Sequence, residues 1–162
     1  VSGLDLNQAE QALQSQKSVV YIATAQAQDA EMQTRIRHHQ ASRPLEWLTI
    51  EEPLSLAATL EQYAQPERLL LVDCLTLWLT NLLCLEESEQ RLLAETNALY
   101  AALPNLNSEV ILVSNETGLG VVPLGELTRR YVDEAGRLHQ RLAAQMQQVI
   151  FMLAGLPQIL KT

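Results

Sequence analysis

The chain is short of aromatic side chains: one Phe and two Trp among 162 residues. Its core must therefore be built from Leu, Val, Ile and Ala. No apolar run approaches the roughly 18 residues of a membrane-spanning helix, and no signal peptide is visible, so the expected location is cytoplasmic. Positive charge is scarce as well. Lys and Arg number 11 against 19 Asp and Glu, for a formal net charge of -8. That balance argues against nonspecific binding to nucleic acid or to an anionic membrane, yet leaves room for a local phosphate pocket. The two cysteines, Cys74 and Cys84, lie in apolar stretches without metal-ligand spacing. They read as small buried hydrophobes in a reducing compartment, not as a disulfide.

Familiar phosphate-binding signatures are missing too. Val1-Ser2-Gly3 looks like a strand entering a phosphate loop, but Leu4-Asp5-Leu6-Asn7 supplies no Lys and no second Gly, so GxxxxGK[ST] is absent there. Gly118 and Gly120 in TGLGVVP do not form GxGxxG and read as turn residues.

What is present is an alternation of apolar runs and helical patterns over a length that suits one domain, residues 1–162. The stretch Tyr21–Pro44 organises it. Val19–Ala23 is a continuous apolar run, fit for a strand buried on both faces, and Thr24-Ala25-Gln26 follows with hydroxyl and amide groups. A helix is expected from Asp29, its N-cap, to about Ser42, where Pro44 closes it. Met32, Ile36 and His39 share one face of that helix, while His38 points to a wetter side. Trp47–Ile50 is the next strand, ending in Glu51-Glu52, and Pro53 is expected to open a helix whose apolar side carries Leu54, Ala57, Ala58 and Leu60.

Leu69–Val72 is a buried strand ending in Asp73. That form matches a Walker-B carboxylate, although a strand-ending Asp often serves only as a cap. Thr76–Leu103 reads as helix, interrupted near Glu86–Glu89, and Glu109–Ser114 as a fourth strand. Leu124–Gln148 is a long amphipathic helix, Val149–Leu153 a last buried strand, and Leu156–Leu160 a possible edge. Strands alternating with helices throughout mean an α/β fold with a mostly parallel sheet.

Four blocks carry a resemblance from about Val19 to the C-terminus: YIATAQ…DAEMQTRIRHHQASRP…W, LLLVDCLTLWLTNLL, VILVSNETGLGVVP and LTRRYVDEAGRLHQRLA. In this order they resemble the bifunctional adenosylcobinamide kinase/adenosylcobinamide-phosphate guanylyltransferases of cobalamin biosynthesis. The resemblance implies a three-layer P-loop NTPase fold of RecA-like type, a homotrimer, and Mg²⁺ with GTP or ATP as substrate. It implies phosphorylation of adenosylcobinamide, then transfer of GMP from GTP to that phosphate through a GMP–histidine phosphoramidate.

By motif match the guanylylated residue is His39, with His38 the second choice. A neutral imidazole is a capable nucleophile near neutral pH. Thr24, Ala25 and Gln26 match a nucleotide-contacting segment, and Gln40, Ala41, Ser42 and Arg43 match contacts just after the histidine. Glu51 matches the acid that meets the guanosine portion, with Glu52 as the fallback. Asp73 matches the Walker-B-like position, as a nucleotide contact and metal ligand. Gly3 stands where the family's loop, of the form GGARSGKS, should begin. Between Gly3 and Ala9 that loop's Lys and Ser/Thr are missing, and His139 stands where relatives tend to have Asn. A true loss of the loop would impair triphosphate binding and the kinase step. Two other readings follow: a loop-less homologue that binds nucleotide or corrinoid without turnover, and a simple small-molecule P-loop kinase whose histidines are incidental.

Overall fold

A computed structural model describes residues 17–26 and 44–162. Gly3, the expected helix from Asp29, His38, His39, Gln40, Ala41, Ser42 and Arg43 lie outside the described residues. The chain divides into two compact units, with the boundary between Asn115 and Glu116.

The first unit is built on a parallel sheet. Its strands are β1 (Ser18–Ala23), β2 (Leu48–Glu51), β3 (Arg68–Asp73) and β4 (Glu109–Val113), in the spatial order β2-β1-β3-β4. The uninterrupted apolar runs take the centre. Val19–Ile22 and Leu69–Val72 are all buried, whereas β2 and β4, at the edges, are only partly covered. Parallel strands need crossovers, and among the described residues the connections hold α1 (Leu56–Tyr63), α2 (Leu75–Leu83) and α3 (Ser88–Ala102). The α1 and α2 helices both pack on α3. The expected break near Glu86–Glu89 is present between α2 and α3, because Leu85–Glu87 forms turn structure.

Chain order and spatial order disagree at one place. From β1 the chain moves outward to β2, then returns to the other side of β1 to form β3. The connections leaving β1 and β3 therefore diverge, which makes a topological switch point. In open α/β sheets ligands bind outside the carboxyl ends of the strands at such a point.

Three expectations are corrected here. The helix expected from Pro53 begins at Leu56, and Ala58 faces outward while Leu56, Ala57, Thr59 and Leu60 are buried. The delay has a cause: the Glu52 carboxylate accepts the Leu54 and Ser55 N–H groups at 2.9 and 2.7 Å, holding residues 53–55 in a turn. Cys74 is buried as expected, but Cys84 is exposed, since it follows the last turn of α2. Both cysteines are free. Third, β5 (Val149–Leu153) is only half-buried and pairs antiparallel with β6 (Leu156–Lys161), in a sheet of its own.

The second unit holds this hairpin and α4 (Glu126–Gln145). Ala154 and Gly155 link the two strands with φ values of 52° and 77°. Positive φ at both central residues is the two-residue turn whose twist matches an antiparallel pair. Lys161 on β6 donates to the carbonyls of Ala143 and Ala144 at 2.9 and 3.0 Å, satisfying acceptors at the C-terminal end of α4.

Candidate functional site

At the switch point the register fixes which side chains meet. Ala23, the last residue of β1, pairs with Glu51 on one side and Asp73 on the other. Partners in a parallel ladder project to the same face, so both acids emerge beside Ala23, two strand spacings or about 9.5 Å apart at Cα. Glu51 and Asp73 are separate candidates in the sequence, and the sheet brings them to one level. Glu51 is exposed and Asp73 half-buried. Glu52, the fallback for Glu51, is committed elsewhere. Besides the two N–H groups, its carboxylate accepts from Thr59 Oγ1 at 3.4 Å.

Thr24 follows Ala23 and is fully buried. Its hydroxyl donates to the Cys74 carbonyl at 2.7 Å and accepts the Cys74 N–H at 2.9 Å. Its own N–H donates to the Asp73 carbonyl at 3.1 Å. Thr24 thus joins the ends of β1 and β3 and has little left to offer a ligand. Half-buried Ala25 and exposed Gln26 are the accessible part of that segment.

Asp73 has a partner of its own: its Oδ2 accepts a hydrogen bond from the Tyr21 hydroxyl. The next residue, Cys74, has a thiol pushed above its ordinary value, mainly by burial, against hydrogen bonding to the Leu77 backbone.

Two residues on α2, given no role by the sequence, hold the rim. Asn81 Nδ2 donates to the Thr24 carbonyl at 2.8 Å and to the Pro53 carbonyl at 3.1 Å. Trp78 Nε1 donates to the Leu54 carbonyl at 2.7 Å. Three residues apart, they share a helix face, and they tie the segments after β1 and β2 to α2. An Asn on the buried face of a Leu-rich helical run, LTLWLTNLL, is the signal that could have found this. His139 lies in the second unit, with Nδ1 3.6 Å from Glu116 Oε2.

A nucleotide-bound divalent cation is held by one or two carboxylates together with substrate phosphates, without a protein cage. The Asp73 carboxylate is of the kind that meets that need, and one of its oxygens is engaged by the Tyr21 hydroxyl. Among the described residues no three His, Cys, Asp or Glu side chains gather into a metal cluster.

Fold and site define a class: an α/β protein with a mostly parallel four-stranded sheet, flanked by helices and consistent with a P-loop-like fold, bearing an acid at its switch point. The family described as cobinamide kinase / cobinamide phosphate guanyltransferase, CobU, matches residues 6–160. The bifunctional adenosylcobalamin biosynthesis protein CobP of Pseudomonas aeruginosa is 61% identical over 150 residues, covering 93% of this chain and 86% of that protein. The protein named CobU in Escherichia coli, with the same bifunctional description, is 36% identical and covers 91% of this chain and 88% of its own length. Its Salmonella typhimurium counterpart is 35% identical with the same coverage. The chain belongs to the CobU family.

Proposed function

We propose that this protein phosphorylates adenosylcobinamide with ATP or GTP, then transfers GMP from GTP to the resulting phosphate, yielding adenosylcobinamide-GDP. The observation that carries this reading is the family match across residues 6–160. The arrangement at the end of β1 supports it, because Glu51 and Asp73 flank Ala23, immediately before the segment Thr24–Gln26.

The guanylyl transfer divides into two displacements. An imidazole nitrogen of His39 attacks the α-phosphorus of GTP, an N–P bond forms, and the bond to the leaving pyrophosphate breaks. A phosphate oxygen of adenosylcobinamide phosphate then attacks the same phosphorus, and the N–P bond breaks to restore His39. Covalent catalysis of this kind splits one difficult transfer into two easier ones. Arg43, with Gln40, Ala41 and Ser42, sits close in sequence to His39 and is assigned to the phosphates; a guanidinium offers paired donors to their oxygens. Glu51 is assigned to the guanosine portion, where a carboxylate accepts from N–H or hydroxyl donors. Ala25 and Gln26, in the segment after β1, are assigned to nucleotide contact. Asp73 would hold the Mg²⁺ that accompanies the nucleotide, and that ion supplies neutralisation of phosphate charge. The finer fold assignment, a RecA-like P-loop NTPase in a single nucleotide-binding domain, belongs to this reading. So do a homotrimer and a cytoplasmic location.

Replacing His39 by Ala tests the reading. Guanylyl transfer to adenosylcobinamide phosphate should fall at least ~10³-fold, as for loss of a covalent nucleophile, while phosphorylation of adenosylcobinamide stays near the wild-type rate. Unchanged guanylyl transfer would remove His39 as the nucleophile, whereas a wild-type protein that phosphorylates but transfers no GMP would be a simple kinase with incidental histidines.

A second reading rests on residues 4–8, Leu-Asp-Leu-Asn-Gln, where the Lys and second Gly of a phosphate loop are missing. It makes the protein a nucleotide- or corrinoid-binding homologue with impaired phosphoryl transfer. The wild-type chain would then bind GTP weakly and leave adenosylcobinamide unphosphorylated in the same assays.

A further inference from the structure

We propose that Tyr21 is a positioning residue for Asp73. It holds the carboxylate so that one oxygen is presented to a divalent cation travelling with the nucleotide. The proposal rests on the reading of Asp73 as the metal-side acid.

Tyr21 is 1% exposed, in the middle of a central strand. Packing alone would be met by Phe there, and a phenolic hydroxyl taken out of water is costly unless it finds a partner. The ring is fixed on its own account. It stacks on Trp47, with centroids 6.3 Å apart and planes at 25°, inside a cluster with Val19, Leu69 and Leu71. Register then aims the hydroxyl. Tyr21 is the ladder partner of Leu71, and Asp73 lies two residues further along β3, on the same face. The hydroxyl reaches along that face to Asp73 Oδ2.

A carboxylate at a strand end has broad rotational freedom about its last torsion. A phenolic donor anchored in the core removes that freedom without bringing a competing cationic partner to the carboxylate. Partners of this kind orient metal-ligating side chains, and their loss weakens metal binding. The competing explanation reverses cause and effect, with Asp73 present only to satisfy a buried hydroxyl.

Tyr21→Phe, Asp73→Asn and the double variant, each in the full chain, separate the two. Mn²⁺ serves as the probe. Its binding in the presence of GTP is followed by electron paramagnetic resonance, GTP binding in EDTA by calorimetry, and folding by thermal melting. Tyr21→Phe should weaken Mn²⁺ binding roughly tenfold and leave metal-free GTP binding unchanged. Asp73→Asn should weaken it at least as much, with the double variant no worse than Asp73→Asn alone. Trp47→Leu, which loosens the ring but keeps the hydroxyl, should lower the melting temperature with a smaller change in Mn²⁺ binding. Wild-type Mn²⁺ binding by Tyr21→Phe beside a defective Asp73→Asn would overturn the positioning role. Wild-type binding by Asp73→Asn would overturn the metal-side reading of Asp73 itself, and the proposal with it.

Discussion

Thr24 donates to one backbone atom of Cys74 and accepts from another, so a near-isosteric Val would leave both groups unpaired in a buried place. Thr24→Val should lower stability by about 2 kcal/mol, the scale of stranding buried backbone polar groups, read as a shift in the denaturant midpoint with an unchanged slope. A wild-type midpoint would contradict the assigned bonds. The sequence marked Thr24 as part of a ligand-contacting segment and Asp73 as a metal-site acid. What it could not give was the division of labour between them. Whether a hydroxyl faces a ligand or the neighbouring strand depends on register, and register is set by pairings some 50 residues apart. The same holds for Glu51 and Glu52, adjacent in sequence, of which one stands exposed at the strand end and the other holds the turn before α1.

Among the elements, the apolar runs were the most legible feature. Val19–Ala23 and Leu69–Val72 form the two central strands because they are almost wholly apolar and the one hydroxyl among them, on Tyr21, has a partner in Asp73. Boundaries were less legible where a side chain intervened, as Glu52 does ahead of α1. The hairpin was obscured for a different reason. Ala154 adopts a positive φ without being the Asn or Asp that usually signals such a turn. The least visible feature was the work of α2, where Asn81 and Trp78 reach the carbonyls of Thr24, Pro53 and Leu54. Asn81→Leu keeps the approximate side-chain size and removes both donors. It should speed amide hydrogen exchange at Ala25–Gln26 and at Leu54–Ser55 together, with a stability loss of about 2 kcal/mol. Faster exchange at only one of the two segments would show that Asn81 does not couple them.

At the scale of the whole molecule, the alternation of strands and helices gave the α/β class, and four motif blocks gave the family. Both agree with the parallel sheet and with the match over residues 6–160. The sheet adds the reason the strand-end acids and the segment after β1 belong together. Its switch point collects the ends of β1 and β3, and the register sets Glu51 level with Asp73 across β1. The reading as a guanylyltransferase turns on one covalent bond, between His39 and GMP. The most direct test is peptide mass spectrometry of the protein after incubation with GTP and Mg²⁺, kept away from acid because a phosphoramidate is labile there. A GMP adduct on the peptide bearing His38 and His39, localised to His39 and abolished in His39→Ala, is the expected result. An unmodified peptide from protein that demonstrably binds GTP would contradict it.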